Sequence, residues 1–210
     1  MATVELPSLG DHIREARLRS GLSLRSLAAE VGVSASMISQ IENGKSQPSV
    51  STLYAITTAL GISIQDVFDR ALLETGEQAV GETGRASSML SALGSSRGRR
   101  IGPVVRQADR TALTLDTGVV WERLGELPPH LVDFLLVTYP PGGTSSSTGG
   151  LMRHSGAEFG YLISGELILT LGFKEIALGP GDSFSFESTT PHSYRNEGTE
   201  PAVGVWFVLE

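Results

Sequence analysis

The spacing of apolar residues changes once along this chain of 210 residues, and no single architecture suits both halves. In the first part, apolar residues recur at three- and four-residue intervals: Ile13 and Ala16; Leu24, Leu27, Ala28 and Val31; Ile38 and Ile41; Leu53, Ile56 and Leu60. That is the period of helices with one buried face. From Val119 onward the apolar residues fall in short or alternating runs: Val119–Trp121, Phe134–Tyr139, Phe159–Ile163, Leu167–Leu171, Glu175–Leu178, Ser183–Phe186 and Val203–Val208. Many short strands with turn residues between them argue for a sandwich or barrel. Residues 70–103 fit neither pattern. Gly76, Gly81, Gly84, Gly94, Gly98 and Gly102 alternate with Ser and Ala there, a composition that buries too little apolar surface to fix a fold. Met89–Leu93 reads at most as a helical turn, and Arg97–Arg100 as a short basic cluster. The expected organisation is an all-α domain at 1–69, a flexible linker at 70–103 and an all-β domain at 104–210.

Turn and cap residues divide the first domain into five short helices. Gly21 follows the first, Ser23 caps the second, Gly32-Val33-Ser34 turns the chain, and Ser34 caps the third. Gly44 falls just past the third helix, where a left-handed backbone is favoured. Pro48-Ser49 opens the fourth helix, Gly61 ends it, and Ser63-Ile64-Gln65-Asp66 fits a capping box for the fifth.

The segment Leu22–Ser34 followed by Ala35-Ser36-Met37-Ile38-Ser39-Gln40-Ile41-Glu42-Asn43-Gly44-Lys45 resembles the helix-turn-helix of the XRE, or phage-repressor-like, regulators over about residues 9–69. The resemblance implies that the third helix enters the major groove of double-stranded operator DNA. With Val33, Ile38 and Ile41 turned to the core, Ala35, Ser36, Ser39, Gln40 and Asn43 face outward. A Gln in such a place can pair with adenine N6 and N7. Ser34 and the helix N-terminus suit phosphate, and Arg25 and Lys45 flank the surface. Many relatives have Gln at the start of the second helix; Leu24 stands there in this chain. One head contacts few base pairs, so a homodimer on a pseudo-palindrome is expected.

In the second half, His154-Ser155-Gly156-Ala157-Glu158 runs on to Gly165, and Gly179-Pro180-Gly181-Asp182 leads to Pro191-His192-Ser193-Tyr194-Arg195-Asn196. These resemble the two motifs of the cupin family, a double-stranded β-helix barrel, over about residues 130–208. In metal-holding cupins the motifs supply three His and one Glu. His154, Glu158 and His192 match three of the four, and Met152 stands where the first His would be. The three remaining ligands form a two-His, one-carboxylate set suited to one divalent metal, Fe, Mn or Zn. Without metal, the same residues with Met152 and Tyr194 line a pocket for a small-molecule effector. His12 and His130 belong to no motif and read as surface residues.

Composition narrows the function classes. There is no Cys, which excludes a disulfide framework, zinc fingers and a Cys nucleophile. No apolar run approaches the ~18 residues of a membrane span, and Met1–Pro7 carries no signal-peptide pattern, so a cytoplasmic protein is expected. The net charge of −7 sits in the second half: residues 1–70 have six basic against seven acidic groups, residues 111–210 four against twelve. No nucleophile elbow, dinucleotide fingerprint, P-loop or H-E-x-x-H motif is present. The reading is a sequence-specific transcriptional regulator, not an enzyme, with a cupin effector sensor. A flexible tether transmits little force, so coupling is expected to run through the paired barrels. The alternative is a mononuclear non-haem iron enzyme like the hydroxypropylphosphonate epoxidases, which place a helix-turn-helix-like domain before a cupin.

Overall fold

The computed structural model describes residues 9–68, 104–125 and 132–209. The expected linker at 70–103, with Met89–Leu93 and Arg97–Arg100, lies outside the described residues, as does His130.

The head consists of α1 (Leu9–Arg19), α2 (Leu24–Val31), α3 (Ala35–Glu42), α4 (Val50–Leu60) and a fifth helical segment at 64–68. Serines start three of them. Ser23 accepts from the Ser26 amide, Ser34 from Met37 and Ser49 from Thr52, each satisfying one orphan donor of the first turn. The expected capping box is formed: the Ser63 amide donates to the Asp66 carboxylate at 2.9 Å, and the Asp66 amide to Ser63 Oγ at 3.1 Å. Ile13, Leu27, Ile38, Ile41 and Ile56 make a core of their own between the first four helices.

Two features set how α1 crosses α3. A Cβ on Gly10 would stand 2.3 Å from the Ile41 carbonyl oxygen, so only glycine permits this approach. About two turns later Arg17 grips Glu42 in a buried fork, Nε to Oε1 at 2.6 Å and Nη2 to Oε2 at 2.8 Å. Hydrogen bonding to Glu42 raises the Arg17 pKa, against a lowering by burial. His12, expected at the surface, is 5 % exposed. It is one position from the buried Ile13 on α1.

The second half is built from β1 (Ala112–Thr114), β2 (Val120–Gly125), β3 (Val132–Tyr139), β4 (Ala157–Ser164), β5 (Leu167–Leu171), β6 (Lys174–Leu178), β7 (Ser183–Glu187), β8 (His192–Arg195) and β9 (Ala202–Leu209). One antiparallel sheet has the order β1-β2-β3-β9-β4-β7 and the other β6-β5-β8. This is the cupin barrel. Strand alternation sorts side chains by face. In β3 and β9, Leu135, Val137, Tyr139, Trp206 and Val208 point into the barrel. On the outer face Phe159 and Tyr161 of β4 lie beside Phe207 of β9, which stacks on Phe134 at 4.5 Å. Gly165, which closes the first cupin motif, has φ +76° and would bring a Cβ within 2.4 Å of the Pro201 carbonyl oxygen.

The head is not hung loosely beside the barrel. Val50, Leu53 and Tyr54 of α4, with Ile64, Val67 and Phe68, join Trp121, Leu135 and Trp206 in one buried apolar cluster. Polar contacts rim this joint. The Ser51 amide donates to Ser145 O and the Asp116 amide to Pro48 O, both at 2.9 Å. Gln65 Nε2 donates to Asp133 Oδ1 at 2.8 Å, and Arg123 Nη1 to Gln65 Oε1 at 3.2 Å. Within one chain, then, head and barrel are in direct contact.

Candidate DNA-reading helix and cupin site

On α3 the buried face is Ile38 and Ile41, with Val33 half-buried before it. Ser36, Gln40 and Asn43 are exposed, Ser39 is half-exposed, and Ala35 is half-buried against the head core. Ser34 is exposed and uses its Oγ as the N-cap. Gln40 Nε2 approaches Ser36 Oγ at 3.4 Å, a long contact that a base edge can replace. Asn43 Nδ2 donates to the Ser39 carbonyl at 2.6 Å, so its amide also closes the helix C-terminus. Arg25 and Lys45 are exposed to either side. Leu24 is half-buried and packs on the head core.

The cupin site lies where the segment before β4 meets β8. Met152 pairs with His192 in an isolated bridge, its amide donating to His192 O at 2.9 Å, and the His154 amide donates to Ser188 O at 3.1 Å. Extended backbone brings these residues together, with Met152 outside any regular strand. Glu158 enters from β4, His192 and Tyr194 from β8. Ligand atoms of His154, Glu158 and His192 all lie within 4.8 Å of one another.

The hydrogen bonds assign the imidazole protons. His154 Nδ1 is 2.9 Å from the Ser155 carbonyl and His192 Nδ1 is 2.8 Å from the Thr190 carbonyl. A carbonyl only accepts, so both Nδ1 atoms carry hydrogen, and in the neutral rings both Nε2 atoms present lone pairs. Those two Nε2 atoms stand 2.8 and 2.9 Å from the same oxygen, Glu158 Oε1. The buried His192 Nε2 makes no hydrogen bond of good geometry. Three lone pairs aimed at one point repel unless protons or a cation lie between them. Imidazoles that donate Nδ1–H to backbone carbonyls and turn Nε2 inward are the usual second-shell pattern of metal ligands. The residues therefore fit a divalent metal, which would supply Lewis acidity and an open coordination position.

Glu158 is held as a carboxylate. Burial raises its pKa, but where protons rather than a cation lie between it and the imidazoles, His154 and His192, with the Tyr194 hydroxyl, together bring it down to about 2. Tyr194 donates to Oε2 at 2.7 Å. Burial first, and then the Glu158 charge, push the Tyr194 and Tyr139 hydroxyls well above the ordinary range, so both remain donors.

Over the ligand set sits a ring that no motif signals. Tyr54 of α4 stacks on His154 with centroids 4.4 Å apart and planes 4° from parallel, and its edge meets Trp121 at 5.7 Å. Val50 and Tyr54 line the same cavity as Met152, Glu158, Tyr194 and Trp206. In the sequence Tyr54 is one more apolar position of an amphipathic helix, and nothing local distinguishes it.

Comparison with known proteins agrees with this architecture. A helix-turn-helix family model matches residues 13–67 and a cupin-domain model residues 135–208. The HTH-type transcriptional regulator PuuR of Escherichia coli is 27% identical over 188 residues, 89% of this chain and 86% of that protein. The crystal structure of an HTH_3-family transcriptional regulator from Vibrio cholerae superposes with a TM-score of 0.63 at 21% identity, over 98% of this chain and 97% of that one. Hydroxypropylphosphonic acid epoxidase from S. wedmorenis aligns over 99% and 100% of the two chains at 18% identity, with a TM-score of only 0.44, too low to bear on chemistry. The chain joins an XRE-type helix-turn-helix domain to a cupin domain, and over most of its length it is similar to HTH-type transcriptional regulators.

Proposed function

We propose that α3 reads an operator and that the cupin cavity senses a small molecule whose binding changes operator affinity. Ser36, Ser39, Gln40 and Asn43 make the base-facing row, Ser34 and Ala35 lie at the helix start near the backbone, and Arg25 and Lys45 hold flanking phosphates. A homodimer places two heads on half-sites about one helical turn apart, ~34 Å. The observation that carries the sensing reading is the clustering of His154 and His192 around Glu158, which itself lines a cavity that the head helps to wall. These residues hold one divalent metal, Fe, Mn or Zn, with Tyr194 orienting Glu158. The regulator acts on DNA in the cytoplasm; among the described residues no helix is long and apolar enough to cross a membrane.

The test selects the operator from random duplex DNA. Its affinity is then titrated with fractions of small cellular metabolites, with and without added Fe(II), Mn(II) or Zn(II). Linkage requires that operator DNA change effector affinity by the same factor. A set of fractions none of which alters operator affinity would remove the sensing function.

The two-His, one-carboxylate set favours one second reading, a mononuclear iron oxygenase. Oxygen consumption by the Fe(II)-loaded protein, coupled to oxidation of the identified ligand, would put that reading first.

A further inference from the structure

We propose that the space over His154 is a binding site for a planar aromatic molecule, which Tyr54 of the DNA-binding head fills in the docked state, so that an aromatic effector and the docked head compete for it. The inference rests on the sensing function above and says what class of molecule is sensed and how the head learns of it.

The first observation is the stack itself. A ring lies 4° from parallel over an imidazole whose other nitrogen belongs to the buried ligand set. Its edge is received by Trp121, while Trp206 and Tyr194 meet edge-on further along the same cavity. Walls of this kind select a flat ring: aromatic pairs prefer offset-stacked and edge-to-face geometry at centroid distances of roughly 4.5–7 Å. The polar end is also provided for, because Glu158, held by the Tyr194 hydroxyl, lines the same cavity. An aromatic molecule bearing a hydroxyl, amine or carboxylate would find apolar faces along its length and a polar group at its tip.

The second observation is size. With α4 docked, the free volume left beside these residues is ≈ 20 Å³. One water needs ~10–15 Å³ measured in this way, while cavities for organic ligands run to roughly 300–1,000 Å³. The docked chain therefore has room for a water or an ion and none for an organic molecule. A cation at His154, Glu158 and His192 is compatible with docking; a ring is not. It enters only where Tyr54 leaves.

The third observation is what Tyr54 is attached to. It lies in the middle of α4, whose N-terminal end touches the barrel through the Ser51 amide and Val50 and whose opposite face carries Ile56 and Leu60 into the head core. Withdrawal of Tyr54 thus moves or loosens a helix that packs on α1 and α2, the two helices against which α3 is packed. Occupancy of the cavity is transmitted to the DNA-reading surface inside one chain.

The experiment uses the full chain and p-cresol, the tyrosine side chain as a free molecule. The chain has no cysteine, so Leu18→Cys on the head and Phe173→Cys on the barrel, 60% and 107% exposed, can be spin-labelled without background. Their separation is measured by pulsed electron paramagnetic resonance in samples diluted with unlabelled protein. Affinity for p-cresol is measured by calorimetry. Tyr54→Ala should bind p-cresol at least tenfold more tightly than the parent chain, and with p-cresol bound should show one narrow distance, the free ring replacing the missing one. In the parent chain saturation with p-cresol should broaden the distance distribution. Equal affinities for parent and Tyr54→Ala, no binding to Tyr54→Ala, or p-cresol bound to the parent with the distance unchanged would each overturn the proposal. Should Tyr54→Ala not fold, the parent arm decides alone. None of these results depends on an operator, so the ring site can fail while sensing stands, and the metabolite titration can fail while the ring site stands.

Discussion

At the scale of single residues, Met152 and Tyr194 separate holding a metal from shaping a cavity. Met152 is 6 % exposed, is bridged to His192 and lines the cavity with Glu158. A thioether is a soft ligand and adds little for Mn or Fe(II). Met152→His should raise divalent-metal affinity, read by elemental analysis after equilibrium dialysis; an unchanged or lower metal content would mean that the position does not face the ligand set. Tyr194→Phe removes the hydroxyl that holds Glu158 Oε2 at 2.7 Å. Loss of such an outer partner typically costs ~10–100-fold in metal affinity. The same dialysis should show that loss, with His154→Ala and His192→Ala removing binding altogether while far-UV circular dichroism stays that of the parent.

At the scale of elements, α3 has one duty to the core and another to DNA. Its inner end is fixed by Glu42, buried in the fork with Arg17. Removing one partner of a buried pair strands the other charge, at a cost of about 3–5 kcal/mol. Glu42→Ala should therefore lower the urea midpoint sharply, and a shift within error of zero would show the pair to be solvated. Gln40 faces outward, and Gln40→Ala should cost ~1–3 kcal/mol on the selected operator and relax its sequence preference. Arg25→Ala and Lys45→Ala should instead weaken all duplexes alike and flatten the salt dependence. Competition binding with scrambled DNA distinguishes the two patterns.

Much of this level is legible in the sequence, because caps and periods are local. Ser23, Ser34, Ser49 and the Ser63–Asp66 box start helices where expected, and β5 spans Leu167–Leu171 as its apolar run suggests. The short β1, three residues held by pairing to β2, has too few residues to show a period. His154, Glu158 and His192 are found from motif spacing. Tyr54, Trp121 and Trp206 are not, since their common cavity exists only after α4 has docked, and no spacing rule links residue 54 to residue 154. His12 illustrates the same limit: a polar residue beside a helix's buried stripe is covered by tertiary packing that the stripe alone does not describe.

At the scale of the whole molecule, a shared core predicts shared unfolding. Leu53, Ile64, Val67 and Phe68 of the head lie in one buried cluster with Trp121, Leu135 and Trp206 of the barrel, and Arg123 is wholly buried over the Phe68 ring at 5.7 Å. Calorimetry of the intact chain should show one transition whose calorimetric and van't Hoff enthalpies agree. Phe68→Ala removes an aromatic side chain from the joint, a change of about 3–5 kcal/mol, and should split the trace in two. Two transitions in the unaltered chain would mean that the joint contributes little. The placement of Trp121 and Trp206, the only two tryptophans of the sequence, has an optical consequence. Both line the cavity beside Glu158; the Trp121 ring meets Tyr54 edge-on, while Trp206 meets Tyr194 near the ligand set. The intrinsic fluorescence of the chain is thus a two-channel report from a single buried place. A paramagnetic ion near Glu158 should quench both indoles, whereas departure of α4 should redden the emission of Trp121 as water reaches it. A Trp121→Phe chain would keep the first signal and lose the second.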